Sequence, residues 1–331
     1  MGSIHRLPDE VSARIAAGEV IEGPFSVVRE LLDNSLDAGA GEIAVSVRGG
    51  GREEIRVADD GTGMSDEDAV LAVQKHTTSK IRILEDLSSI STMGFRGEAL
   101  ASICAVSEFT MLTKRAEDER GTRVSVRFGG EPVREPAAAN TGTDITVAGL
   151  FQNLPARRKF LKSDRAEGAR AREEVLKKAL CSYKTGFSLR SDERLVFRLL
   201  PRSSVLERIG ELFGQGIEKH LIPFESREER FSIEGYVSNR LRTLSNRGGQ
   251  YIFVNGRPVE DRNLLFAVNA PARGIVPAGR YVYAFVNVDI DPALLDVNVH
   301  PAKREIRIKI ERDVAGALGR AVRRALEERF Y

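Results

Sequence analysis

The sequence predicts an α/β protein of two domains, divided near Pro201. Three observations carry that reading. Short stretches of alternating apolar residues are interleaved with segments of helical period, the mark of a mixed α/β chain. The length of 331 residues is sufficient for two cores. The charge is also divided: residues 1–150 hold 16 Lys+Arg against 25 Asp+Glu, whereas 151–331 hold 34 against 23. The formal net charge of +2 hides this split, and the basic half is a candidate surface for nucleic acid or another polyanion.

The elements follow in order. Residues 8–17 and 24–38 read as helices, the second opened by Pro24 in a first turn and closed by Gly39. Alternation over 43–48 and 55–58 predicts two strands joined by a turn at Gly49-Gly50-Gly51. Ser65, with Asp68 three residues on, opens a helix to about Lys75. Residues 76–97 form a long polar connection of the kind that serves as a lid. A helical run from Glu98 to Ala105 comes next. Strands are expected near 107–113, 122–128 and 143–148, a basic helix near 165–182, and strands near 186–199. In the second domain the pattern gives helices near 204–213, 260–269 and from 312 onward. Its strands fall near 230–238, 250–254, 281–290 and 304–310.

Composition narrows the class. Hydrophobic residues make up 42% and charged residues 30%, as in an ordinary soluble protein. No apolar run reaches the roughly 18 residues of a membrane span, and the N-terminus lacks the apolar core of a signal peptide. Cys104 and Cys181 lack metal-type spacing and read as buried or incidental thiols of a reducing compartment, so a cytoplasmic protein is expected.

Five polar signatures carry chemistry. In Gly94-Phe95-Arg96-Gly97-Glu98-Ala99-Leu100, glycines flank an arginine where a helix begins, and a helix start binds anions through its unpaired N–H groups. On the helix 24–38, Glu30, Asp33, Asn34 and Asp37 fall on one stripe, with Val28, Leu31, Leu32, Ser35 and Leu36 opposite. The plain reading of that stripe is a solvated acidic face. The sharper one makes Glu30 a general base and Asn34 an oxygen ligand of Mg²⁺ one turn away. Asp59-Asp60-Gly61-Thr62-Gly63-Met64 follows a strand and reads either as a plain strand-to-helix turn or as a site where an Asp accepts from an exocyclic base amine. His76-Thr77-Thr78-Ser79-Lys80 offers hydroxyls and a cation to phosphates, and Asn140-Thr141-Gly142-Thr143 places a hydroxyl at a strand start. A P-loop and a Rossmann fingerprint are both absent.

In this order these residues resemble the ATPase superfamily shared by DNA gyrase, Hsp-type chaperones, histidine kinases and MutL. Within it the match is to the MutL family of DNA mismatch-repair proteins. The segments 15–20, 34–39, 94–100, 155–161 and 296–303 look like family signatures, and the resemblance covers residues 4 to about 327. It implies a two-layer α/β sandwich that binds ATP over about 1–200, with its lid near 76–97. A smaller α/β domain of ribosomal-protein type, over 201–331, would supply a phosphate-sensing lysine and part of a DNA-binding groove.

The resemblance also implies roles. Glu30 would be the general base for ATP hydrolysis and Asn34 the Mg²⁺ ligand, with Asp37 beside them. Asp59 would bond the adenine amine, with Gly63 next to the ring and Thr143 supporting Asp59 or a bridging water. Thr78, Ser79, Lys80, Gly94, Phe95, Arg96, Gly97, Glu98, Ala99 and Leu100 would form the lid and phosphate cradle, and Lys303 would reach the γ-phosphate.

Arg257 and Arg262 would border the DNA groove. Over 157–178 there are nine Lys/Arg against four acids and few aromatics, which makes Arg157, Arg158 and Lys159 candidates for sequence-independent backbone contacts. The implied activity is a slow Mg²⁺-dependent ATPase that acts as a molecular switch in DNA mismatch repair. ATP would order the lid, two chains would associate, and the dimer would engage DNA, mismatch-recognition proteins and downstream repair proteins. No nuclease chemistry is expected within residues 1–331, which read as an N-terminal ATPase fragment. Two alternatives stay open: another ATPase of the same superfamily, and a DNA-binding module that does not hydrolyse nucleotide.

Overall fold

The structure, a computed structural model, describes residues 17–18, 20–75, 77, 97–296 and 307–328. The chain forms two compact units: 1–179 with 184–201, and 180–183 with 202–331.

In the first unit, α1 (Pro24–Asp37) begins where Ser26 closes the N-terminus: its Oγ accepts from the Glu22 and Gly23 amides at 3.0 and 3.2 Å. It ends at Gly39, whose φ of +71° suits a residue without Cβ. The strands β1 (Glu42–Arg48) and β2 (Glu54–Asp59) follow, joined through Gly49–Gly51. Next come α2 (Asp66–Ala72), capped by Ser65 Oγ accepting from the Asp68 amide, and α3 (Ala99–Ala105). Then come β3 (Glu108–Lys114), β4 (Gly121–Arg127), β5 (Val133–Ala137) and β6 (Gly142–Ala148). The helices α4 (Pro155–Lys159) and α5 (Asp164–Cys181, its last two residues counted with the second unit) and the hairpin β7 (Gly186–Ser191) with β8 (Arg194–Leu199) complete the unit.

The eight strands form one sheet in the order β5-β4-β3-β6-β2-β1-β7-β8, antiparallel except for the β1–β7 pair. Ile43, Val45, Val47, Ile55, Val57, Phe109, Met111, Val124, Ile145 and Val147 are buried, while Ala44, Arg56, Arg123 and Arg127 between them are exposed. One face is therefore covered by helices and the other is open, a two-layer α/β sandwich.

Two local expectations change. The acidic stripe of α1 is not a solvated face: Glu30 and Asp33 are each only 5% exposed. The edge strand β5 also lies where no strand is predicted from sequence. Its Pro136 cannot donate to a ladder, and an edge is where a sheet tolerates that.

The second unit contains α6 (Val205–Phe213), β9 (Leu221–Arg227), β10 (Phe231–Ser238), β11 (Thr243–Leu244), β12 (Gln250–Val254) and β13 (Arg257–Pro258). After these come α7 (Arg262–Ala272), β14 (Tyr281–Val282), β15 (Ala284–Ile290), β16 (Leu295–Asp296), β17 (Arg307–Ile308) and α8 (Glu311–Glu328). Its five-stranded sheet runs β13-β12-β15-β10-β9. Ile233, Val237, Ile252, Val254, Val286 and Val288 pack with Leu264, Val268, Leu318 and Val322 of α7 and α8. On the opposite face Phe213 of α6 meets Tyr251, Tyr283 and Phe285 at ring separations of 5.2 to 5.9 Å. Among the described residues no helix is long and apolar enough to cross a membrane.

Candidate functional site

The site starts from strand parity. Asp59 continues the buried row Ile55–Val57, Thr143 the row Ile145–Val147, and Thr113 the row Phe109–Met111. Register pairs Asp59 with Thr143 and Thr143 with Thr113. Three polar side chains thus stand side by side at one end of the helix-covered face. Thr113 Oγ1 lies 3.0 Å from Thr143 Oγ1, donates to the Gly142 carbonyl at 3.0 Å, and accepts from the Met64 amide at 3.0 Å. Thr113 is wholly buried and Thr143 is 9% exposed, so this bonding satisfies groups that water does not reach.

Asp59 is fixed from two directions. Ser35 of α1 donates to its Oδ2 at 2.7 Å, and the Gly61 amide donates to its Oδ1 at 2.9 Å. Burial raises its carboxyl above the ordinary value, against the opposing bonds from Ser35, Gly61 and the Thr143 backbone. The glycines around it are sterically required. A Cβ on Gly63 (φ +67°) would stand 2.1 Å from the Lys114 carbonyl oxygen, and one on Gly142 (φ +115°) 2.0 Å from that of Asp59.

On α1, one turn separates Glu30 from Asn34. Glu30 is buried beside Arg29, whose Nη2 is 3.4 Å from Glu30 Oε1, and Asn34 and Asp37 are half-buried. Asp33 pairs with Lys178 of α5, a residue 2% exposed. The same helix therefore carries the buried carboxylate, the neighbouring amide and, through Ser35, the support of Asp59. Ser35, Thr113 and Lys178 carry no site role in the sequence pattern: Ser35 falls on the packing side of the helix, Thr113 in a strand and Lys178 among the basic residues of 157–178. Ser35 could have been found from its place next to Asn34. Thr113 and Lys178 need the sheet register and the helix packing.

At the start of α3, Gly97 has φ +64°, Glu98 occupies the N-cap, and Ala99 and Leu100 are half-buried. Thr78, Ser79, Lys80, Gly94, Phe95, Arg96 and Lys303 lie outside the described residues.

The basic segment is divided in its use. Arg157 donates to the Ile21 carbonyl at 3.1 Å and lies over the Phe151 ring, so it serves the protein's own packing. Arg170 stacks 3.7 Å over Phe25, and Lys178 is buried. Arg158 is half-buried and Lys159 exposed. In the second unit Arg257 is half-buried on β13, and Arg262 is exposed at the start of α7. Among the described residues no group of three or more His, Cys, Asp or Glu could hold a metal ion. A metal at Asn34 would therefore take most of its ligands from phosphate and water, the habit of Mg²⁺.

Comparison with known proteins gives the family of the chain. Residues 21–137 match the family described as histidine kinase-, DNA gyrase B- and HSP90-like ATPase, and residues 209–327 match the C-terminal domain of DNA mismatch repair protein. The chain is 45% identical over 328 residues to the DNA mismatch repair protein MutL of Opitutus terrae, covering 99% of this chain and 52% of that protein. It is 43% identical over 331 residues to MutL of Myxococcus xanthus, covering 98% and 53%. It spans about half the length of these curated relatives.

Among solved structures, the N-terminal domain of a DNA repair protein superposes with a TM-score of 0.82 at 26% identity, covering 96% of this chain and 98% of that one. The Aquifex aeolicus MutL ATPase domain complexed with ADP superposes with a TM-score of 0.63 at 26% identity, covering 91% and 98%. With both halves matched in this order, the chain belongs to the MutL family of DNA mismatch-repair proteins.

Proposed function

We propose that this chain is a slow Mg²⁺-dependent ATPase acting as a molecular switch in DNA mismatch repair. The observation that carries the reading is the joint placement on α1 of buried Glu30, Asn34 one turn later, and Ser35 bonded to Asp59. A buried carboxylate can orient a water and take its proton. Glu30 is that base. Asn34 offers an amide oxygen to Mg²⁺, and Asp37 stands one turn further on. When bound, Mg²⁺ neutralises developing charge on the phosphates. Asp59 accepts from the adenine amine, Gly63 lies beside the ring, and Thr143 supports Asp59, which its backbone already bonds, or a bridging water.

Gly97 and the start of α3 form the described part of the phosphate cradle. Thr78, Ser79, Lys80, Gly94, Phe95 and Arg96 would complete it, with Lys303 sensing the terminal phosphate. The switch reading follows from the family: ATP orders the lid near 76–97, two chains associate, and the complex holds DNA and signals to other repair proteins. Arg158, Lys159, Arg257 and Arg262 are the proposed backbone contacts, with Arg157 the least available of the five candidates. The domain division follows the same reading, an ATP-binding part over about 1–200 and a second part over 201–331.

ATP hydrolysis with Mg²⁺, with and without DNA, tests the reading in the wild type and in Glu30→Ala. Turnover should fall by about 10²- to 10⁴-fold in the variant, the size of a general-base contribution, while ATP binding persists. Equal rates would remove Glu30 from the catalytic role. Absence of turnover in both would leave a nucleotide-binding module.

A further inference from the structure

We propose a second nucleic-acid contact in this chain, an arginine cluster on the ribbon β11–β14 that binds the phosphodiester backbone of DNA. It rests on the DNA-binding reading above and adds a site separate from Arg257 and Arg262.

Residues 235–259 and 262–288 contain Arg240, Arg242, Arg247, Arg257, Arg262, Arg273 and Arg280 and not one Lys, Asp or Glu. Apart from Glu260 and Asp261, which lie between the two segments, this composition sets up a field of largely one sign at the surface. The fold gathers four of these arginines. Thr243 pairs with Val282 and Leu244 with Tyr281, so the segment 240–247 lies against 280–282. Arg240, Arg242, Arg247 and Arg280 are all exposed there.

The guanidinium groups of Arg242, Arg247 and Arg280 are held by neutral partners. Arg280 donates through Nε to Thr243 Oγ1 at 3.0 Å and through Nη2 to the Thr243 carbonyl at 2.8 Å, which fixes its plane and leaves its remaining N–H groups for an anion. The Arg247 guanidinium lies 5.4 Å over the Tyr281 ring, and Arg242 touches the Phe213 carbonyl at 3.5 Å. Among the described residues no carboxylate pairs with Arg242, Arg247 or Arg280. In the first unit, by contrast, Arg56, Arg115, Arg123 and Arg134 are each neutralised by an Asp or Glu.

The ligand class follows from the groups. Fixed planar guanidinium groups match phosphate oxygens better than flexible ammonium groups do. Their spread along two strands suits a polyanion rather than one small ion. Leu241, 74% exposed between Arg240 and Arg242, adds apolar surface for sugars. The cluster is also distinct from Arg257 and Arg262. β12 runs from the ribbon end to their end, and its five residues at about 3.3 Å each separate the two by roughly 15 Å.

Anisotropy of a labelled DNA duplex and a labelled single strand, titrated at several salt concentrations, tests the site on the full chain. Arg242→Gln/Arg247→Gln is the main variant, with Arg280→Gln added in a second, because Arg280 also braces the ribbon. On duplex, each lost phosphate contact should reduce the slope of log affinity against log salt by roughly 0.9, so the double variant should lose about 2. Its melting temperature should stay unchanged, and Arg242→Lys/Arg247→Lys should restore most of the slope. Losses from Arg257→Gln/Arg262→Gln should add to those of the ribbon. A folded double variant with wild-type affinity and slope overturns the ribbon site and leaves the DNA reading in place. A wild type that binds neither DNA at low salt overturns both.

Discussion

Lys178 of α5 and Asp33 of α1 form an ion pair that is almost wholly withdrawn from water, at 2% and 5% exposure. Asp33 follows Glu30 by three residues and precedes Asn34, so the pair anchors the helix that carries the proposed base and metal ligand. Buried charges are costly to separate, because the survivor is left without water or partner. Lys178→Met should therefore destabilise the protein by about 3–5 kcal/mol in urea unfolding. Asp33→Leu/Lys178→Met removes both charges and should recover most of that loss. If the single variant unfolds at the wild-type urea concentration, the pair contributes nothing to the fold.

Asp59 links stability to pH. Burial raises its carboxyl above the ordinary value in the folded state. Between the unfolded and folded pKa values the folded protein binds more protons than the unfolded chain. Stability therefore falls as pH rises through that window and stays at the lower level above it. Asp59→Asn cannot ionise. Its melting temperature should lose this part of the pH dependence, with the gain over wild type greatest near neutrality. The same change removes the charged acceptor proposed for the adenine amine, so ATP affinity should fall about ten- to hundredfold, the worth of a charged hydrogen bond. Melting curves across acidic to neutral pH and calorimetric ATP titration measure both. A variant whose pH profile parallels the wild type would show that Asp59 does not titrate in this way.

How legible these features are in the sequence depends on how local their causes are. Helix α1 is readable because Pro24 and Gly39 mark its ends, and the strand before Asp59 because it alternates. The two-layer class follows from those patterns together with the family resemblance. The burial of the α1 stripe is not readable, since Lys178, which neutralises Asp33, lies far along the chain. β5 and β9 escape the period because Pro136 and Pro223 interrupt it, and both strands turn out to lie at sheet edges. Thr113 looks like an ordinary strand residue until register sets it beside Thr143.

Gly142 lies against Asp59 where β6 pairs with β2. Gly142 has φ +115°, and a Cβ there would sit 2.0 Å from the Asp59 carbonyl oxygen, closer than atoms can approach. Gly142→Ala must shift β6 away from β2 at the point where Thr143 pairs with Asp59. A cost of about 3 kcal/mol or more is expected from backbone strain and overpacking together. Gly39 provides the control: its φ is +71°, and a Cβ there would meet nothing within 4 Å. Gly39→Ala should cost only the left-handed penalty of about 1–2 kcal/mol and leave ATP affinity intact. Urea unfolding and ATP titration of the two variants separate strain alone from strain against Asp59. Equal losses in both would mean that the β2–β6 contact yields without disturbing the carboxylate.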